Sequence, residues 1–210
     1  MSLKNQHVII TGGGSGIGRA IALYAVGKGA KVSILARNKT KLNAVVSEIE
    51  ALGGEAQAIS CDVQNKANVF EAFAEAVETF GAIRAVVANA GVGGANQDGE
   101  GDRFEQIIQT NLSGSYYSLR AGQRNLIDDE KPKQLIVISS CLARFGVPGY
   151  TAYCASKAGL LGLVRALSLE VSQQNIQVNA VCPGWVNTKM ARDGIEEMAK
   201  GMGRSYEDAY

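Results

Sequence analysis

"HVIITGGGSGIG", residues 7–18, runs a short apolar segment through a cluster of glycines into a helical pattern. An apolar strand that passes through glycines directly into a helix is how a βαβ unit begins. Glycine meets three demands at such a turn: unusual backbone angles, close approach of the main chain to a phosphate, and tight packing of helix on strand. The first amides of the helix then face outward, where the helix dipole favours negative charge. Gly12, Ser15, Gly16, Ile17 and Gly18 are therefore candidate positions for holding a dinucleotide's pyrophosphate.

Outward from the turn the same alternation continues. β-rich runs begin at His7, Lys31, Glu55, Ile83, Gln134 and Ile176, and helical patterns occupy 16–29, 39–54, 66–81, 103–125 and 150–173 between them. Strand alternating with helix predicts an α/β protein with a doubly wound parallel sheet and helices on both faces, its strands in the Rossmann order 3-2-1-4-5-6. The central strands are nearly continuous apolar runs, as expected when both faces of a sheet are covered. No linker divides residues 1–210, so a single Rossmann domain is expected, and "DDEKPK", 128–133, reads as a solvated connector.

Composition excludes several partners. Lysine and arginine total 21 against 20 aspartates and glutamates, leaving no basic excess to follow a nucleic-acid backbone. No run of about 18 apolar residues suggests a membrane span, and "MSLKNQHVII" is a poor signal peptide, so a cytoplasmic protein is the expectation. Cys61, Cys141, Cys154 and Cys182 are scattered singly and His7 is the only histidine, so no metal site is expected.

The end of the second strand selects the dinucleotide. A site for NAD carries an acid about 20 residues beyond the turn, to bind the ribose 2′-hydroxyl. Here "ILARNK", 34–39, offers Ala36 and then Arg37. A carboxylate repels a 2′-phosphate whereas a guanidinium pairs with it, so NADP(H) is favoured over NAD.

Further motifs follow in order: "ANAG" at 88–91, "TNLSGSYY" at 110–117, "ISSC" at 138–141, "YCASK" at 153–157 and "PGWVNT" at 183–188. With the glycine turn, this chain resembles the short-chain dehydrogenase/reductases over nearly its whole length. The resemblance implies an NAD(P)-dependent oxidoreductase with Asn111, Ser140, Tyr153 and Lys157 as catalytic residues. It implies that Asp62 and Val63 border the adenine, Asn89 and Ala90 the adenosine ribose, and Pro183, Gly184, Val186 and Thr188 the nicotinamide. Tyr153 and Lys157 are placed at the cofactor as well. Each has a plainer reading too: Asn89 could simply tie two strands, Thr188 cap a helix, and Ser139 be confused with Ser140. Within the family, "TGGGSGIG" with "ARN" looks most like 3-oxoacyl thioester reductases.

The spacing of "YCASK" has a physical meaning. Tyr153 and Lys157 share one helix face, so the ammonium can sit near the phenol and is expected to pull its pKa down from about 10 toward the working range. In the implied reaction Tyr153 protonates a carbonyl oxygen, Ser140 hydrogen-bonds that oxygen, and Asn111 holds a water linking Lys157 to solvent. Ser140, Leu142, Tyr150, Tyr153 and Trp185 are the expected substrate contacts, and suit a small, partly apolar carbonyl or alcohol. A catalytically silent nucleotide-binding sensor or interaction protein of the same fold is the alternative.

The helix from Tyr150 carries Leu160, Leu161, Leu163, Val164, Leu167, Leu169 and Val171 on more than one face, which points to a homodimer or homotetramer. Members of the family usually continue through a seventh strand. This chain stops at "GRSYEDAY", so the sheet is expected to end with the strand at 176–181, as a C-terminally truncated form would.

Overall fold

Strands β1 (His7–Thr11), β2 (Lys31–Ala36), β3 (Glu55–Ser60), β4 (Ile83–Ala88), β5 (Lys133–Ile138) and β6 (Ile176–Val181) form a parallel sheet ordered β3-β2-β1-β4-β5-β6. This is seen in a computed structural model of the chain, which describes residues 3–209. Helices cover both faces. On one side α1 (Gly16–Gly27) and α2 (Lys39–Ala51) bury Ala22, Ala25, Leu42, Val45 and Ile49 against Val8, Ile10, Val32 and Ile34. On the other, α3 (Lys66–Phe80), α5 (Gly114–Arg124) and α6 (Thr151–Glu170) bury Phe73, Leu119, Leu160 and Leu167 against Ile9, Leu35, Val86 and Leu135. β1 and β4 are buried along their whole length, which is why their sequences show no polar alternation. β6 is the last strand of the sheet among the described residues, and there the pattern does alternate: Ile176 and Val178 are buried, Gln177 and Asn179 exposed. No helix among the described residues is long and apolar enough to cross a membrane.

One expected helix is broken. Residues 103–125 hold α4 (Phe104–Ile108), a π-helical turn at Gln109–Ser113, and α5 in succession. The hydroxyls of Thr110 and Ser115 donate to the carbonyls of Gln106 and Asn111 at 2.8 and 2.7 Å, and such back-bonding loosens the regular ladder. Gly114 follows the turn and lets it lie close to Val63, whose Cγ2 a Cβ there would meet at 2.8 Å. The widened turn points Asn111 into the core, fully buried.

The N-terminus of α6 is capped from a distance. Tyr150 occupies the capping position but offers no side-chain bond to the helix. Instead Asn96, in the loop after β4, accepts at Oδ1 from the Thr151 hydroxyl and the Ala152 amide, both at 3.0 Å. Its own amide donates to the Gly149 carbonyl at 2.9 Å, which completes the tie. A short helix, α7 (Lys189–Met202), follows β6 with Thr188 as its cap, and α8 (Tyr206–Ala209) ends the described chain.

At the opposite end of the sheet His7 is buried, with Nδ1 bonded to the Gly81 carbonyl and Nε2 to Ser33 Oγ, each at 2.7 Å. Burial holds its pKa below the usual imidazole value, with the Gly81 bond opposing. The neutral ring is the form the fold prefers, so its contribution is complete above the unfolded pKa of about 6.5 and is lost as pH falls below it. Urea unfolding across this window is expected to show stability declining toward acid, with a shallower decline in His7→Gln. Removing the distal cap, Asn96→Ala is expected to lower the urea-unfolding free energy by about 1 kcal/mol, with Asn96→Asp recovering most of it.

Candidate active site

The strand order reverses at β1, whose neighbours are β2 on one side and β4 on the other. The connections leaving β1 and β4 therefore diverge and open a cleft beyond their C-terminal ends, where dinucleotides bind in sheets of this kind. The glycine turn forms one wall. Gly12 sits at φ 69° and a Cβ on it would press into Ala90 Cα and Asn89 Nδ2, both 2.8 Å away. A Cβ on Gly18 would run into the Gly12 carbonyl and lie 2.6 Å from Asn89 Nδ2. Ser15 precedes α1 in extended conformation without capping it, so the first amides of the helix remain open beside Gly16 and Ile17. A cradle bare of Cβ atoms at a helix N-terminus fits a pyrophosphate.

The side-chain amide of Asn89 donates to the carbonyls of Thr11 and Gly12 at 3.0 and 3.2 Å, and the amides of Asn89 and Ala90 both donate to Thr11 Oγ1 at 3.1 Å. Asn89 thus does tie the strands, and only its Oδ1 is left for a ligand. Beyond β2, Arg37 is exposed and makes no hydrogen bond or ion pair among the described residues, next to Asn38, which caps α2. Lys41 lies alongside, its Cβ 3.3 Å from the position a Cβ on Gly14 would take. Asp62 and Val63 follow β3 on the same rim, with Asp62 accepting from the Gln64 amide and Val63 buried against Gly114.

The catalytic candidates meet at the end of β5. Ser139 and Ser140 separate cleanly: the Ser139 hydroxyl donates to the Lys157 carbonyl at 2.9 Å, whereas Ser140 caps a 3₁₀ turn at Cys141–Ala143 and accepts from the Leu142 amide at 3.1 Å. The O–H of Ser140 is directed at the Cys141 sulfur, at 4.0 Å, and the Ser140 side chain also interacts with the Tyr153 phenol. Lys157 is buried and donates from Nζ to the Ile138 carbonyl at 2.8 Å, with the Tyr153 ring centroid 5.6 Å away. Asn111 accepts from the Val92 amide at 2.8 Å and donates to the Val92 carbonyl and Ser156 Oγ at 3.0 and 3.1 Å. Its side chain is spent on positioning. Asn111 Oδ1 and Lys157 Nζ both flank Gly91.

The electrostatics correct one expectation. Tyr153 is held above the usual phenol pKa, because burial penalises the phenolate more than the Ser140 side chain favours it. Lys157 does not reverse this: it is turned toward the Ile138 carbonyl, and burial pushes its own pKa down to about 8. The phenol therefore keeps its proton at neutral pH.

Beyond β6, the Cys141 amide donates to the Pro183 carbonyl at 2.9 Å and fastens the 183–188 segment over Ser140. Gly184, Trp185 and Val186 are exposed, and Thr188 caps α7 through the Ala191 amide at 3.2 Å, with its methyl 3.3 Å from the Cβ position of Gly16. Leu142 is half-buried in the 3₁₀ turn, and the Tyr150 ring packs edge-on against Tyr153 with centroids 6.4 Å apart. Three contributors escaped the sequence reading. Ser156, donating to the Tyr153 carbonyl at 2.8 Å, stands within "YCASK" and was within reach of that motif. Asn96 and Met190, whose sulfur lies 3.2 Å from the Cβ position of Gly93, sit in segments with no pattern to mark them.

Comparison with known proteins places the chain in a family. Residues 6–199 match the model of the short chain dehydrogenase family. The chain is 35% identical over 196 residues to a 3-oxoacyl-[acyl-carrier-protein] reductase of Homo sapiens, covering 91% of this chain and 80% of that one. It is 31% identical over 188 residues to the 2-(S)-hydroxypropyl-CoM dehydrogenase 3 of Xanthobacter autotrophicus, covering 89% and 73%. The crystal structure of a dehydrogenase/reductase from Sinorhizobium meliloti superposes with a TM-score of 0.85 at 32% identity, covering 99% of this chain and 86% of that one. On its glycine turn, its strand order and this match along nearly its whole length, the chain belongs to the short-chain dehydrogenase family of oxidoreductases.

Proposed function

We propose that this chain reduces a carbonyl to a secondary alcohol with NADP(H), or runs the reverse oxidation, on a small and partly apolar substrate such as a 3-oxoacyl thioester. The observation that carries the reading is the meeting of Ser140, Tyr153 and Lys157 at the end of β5, beside the glycine turn. When bound, the nicotinamide dinucleotide supplies or accepts the hydride. The proton steps belong to the chain. Tyr153, kept protonated by burial, gives its phenolic proton to the carbonyl oxygen. Ser140 exchanges its weak contact with the Cys141 sulfur for a hydrogen bond to the same oxygen, and that bond strengthens as negative charge develops. Lys157, charged below about pH 8, stabilises the phenolate left behind, and Asn111 holds the π-helical turn against α6 so that a proton can return along that side.

In this reading residues 1–210 act as one domain. Gly12, Ser15, Gly16, Ile17 and Gly18 hold the pyrophosphate, Asp62 and Val63 the adenine, Asn89 and Ala90 the ribose, and Pro183, Gly184, Val186 and Thr188 the nicotinamide. Arg37, with no hydrogen-bond or ion-pair partner among the described residues and no acid next to it in the sequence, supports a 2′-phosphate and so NADP(H). Relatives named for 3-oxoacyl groups support the thioester lean. Leu169, 77% exposed on α6, supports assembly into a dimer or tetramer.

Tyr153→Phe is expected to slow NADPH oxidation with 3-oxoacyl thioesters by about a hundredfold or more while nucleotide binding persists. Nucleotide binding without oxidation in the unaltered chain would instead favour a sensor. Arg37→Asp is expected to lower the NADPH-to-NADH ratio of kcat/KM by about tenfold or more, since it replaces a charge-assisted bond with repulsion. An unaltered ratio would defeat the 2′-phosphate assignment.

A further inference from the structure

The cleft contains a polar group that the proposed chemistry leaves unused. Buried side-chain donors and acceptors around the site are paired: Asn89 with the glycine turn, Asn111 with Val92 and Ser156, and Ser139 and Lys157 with main-chain carbonyls. Among the described residues, the Tyr150 hydroxyl is the buried side-chain oxygen or nitrogen without a hydrogen-bond partner. Buried polar groups are ordinarily satisfied, and an exception in a cleft points to a partner that arrives from outside.

Its position says what that partner is. Tyr150 immediately precedes α6 and stands three residues before Tyr153, and the two rings meet edge to face with centroids 6.4 Å apart. The wall over the hydroxyl is formed by α7. A Cβ on Gly194 would lie 3.8 Å from the Tyr150 oxygen and 3.9 Å from the Trp185 indole, so a bare glycine and an apolar ring are what the phenol meets there. Burial and then Glu197 disfavour the phenolate, and the Glu197 carboxylate approaches Gly94 together with the guanidinium of Arg103. A phenol that keeps its proton is a donor and needs an acceptor. An acceptor that carries a full negative charge is opposed by Glu197.

We propose that the Tyr150 hydroxyl donates a hydrogen bond to a second, uncharged oxygen of the substrate, placed two carbons from the carbonyl that Tyr153 serves. The Tyr150 and Tyr153 rings stand with centroids 6.4 Å apart, and the two oxygens of an extended 1,3-dicarbonyl span about 4–5 Å. An ester, thioester or amide carbonyl in that relation to the reacting ketone fits both donors; a simple ketone leaves Tyr150 unpaired. This inference rests on the reductase reading and adds to it a residue that selects the substrate class.

The test uses the full chain with NADPH and two ketones of equal length, ethyl 3-oxobutanoate and heptan-2-one, which differ by the second carbonyl and the ester oxygen. Tyr150→Phe is expected to lower the ratio of kcat/KM for the ester over the ketone by about tenfold, the effect of one hydrogen bond in a dry site. An unchanged ratio overturns the proposal. A second readout does not need turnover. Trp185, the single tryptophan, lies beside the Tyr150 hydroxyl, so its fluorescence reports occupancy of this corner. In a Tyr153→Phe background with NADP⁺, adding Tyr150→Phe is expected to weaken binding of ethyl 3-hydroxybutanoate about tenfold. Equal affinity, or no binding in either chain, overturns the role of Tyr150. Failure of the unaltered chain to reduce either ketone would overturn the reductase reading, while the fluorescence titration would still decide for or against the Tyr150 contact.

Discussion

The side-chain amide of Asn89 donates at once to the carbonyls of Thr11 and Gly12, and the rest of the site is arranged around that clasp. It joins the end of β4 to the turn that follows β1, at the place where the strand order reverses and chain connections part. Without it the glycine turn would lose two hydrogen bonds that hold it against β4. Gly12 and Gly18 are bare because Asn89 and its neighbour Ala90 stand where their Cβ atoms would be. One side chain therefore accounts for both the closeness of the turn and the openness of the cleft beside it.

From that clasp the remaining elements are placed by main-chain satisfaction more than by direct contact among the candidate catalytic groups. Lys157 is drawn to the Ile138 carbonyl, Ser139 to the Lys157 carbonyl, and Asn111 to Val92 and Ser156. These bonds hold α6 against the end of β5 and leave the Ser140 hydroxyl and the Tyr153 phenol as the groups with unspent capacity. Burial then sets their chemistry. It raises the pKa of Tyr153 and lowers that of Lys157, so in the protein alone the pair is a protonated phenol beside a readily discharged amine.

Much of this was legible in the sequence for identifiable reasons. The strands were readable because β1 and β4 are buried on both faces and so become continuous apolar runs. The glycine turn was readable because few residues other than glycine fit a positive φ or a sub-van-der-Waals approach, as at Gly12. The break at Gln109–Ser113 was not, because hydroxyl back-bonding and the close approach of Val63 to Gly114 are contacts with no periodicity. Nor was the capping of α6 by Asn96, since the cap lies in a loop far along the chain from the helix it serves.

The sequence by itself determined the fold class, through hydrophobic pattern and glycine where a side chain cannot fit, and through the motifs it shares with the family it implied the strand order and the identity of the candidate chemical groups. Tertiary structure alone decided which groups remain free to act. Whether Ser139 or Ser140 has an uncommitted hydroxyl, whether Lys157 pulls down the pKa of Tyr153, and whether the Tyr150 oxygen finds a partner all depend on what the fold brings within about 3 Å. Hydrogen bonds and desolvation act over distances that folding sets and that spacing along the chain does not record.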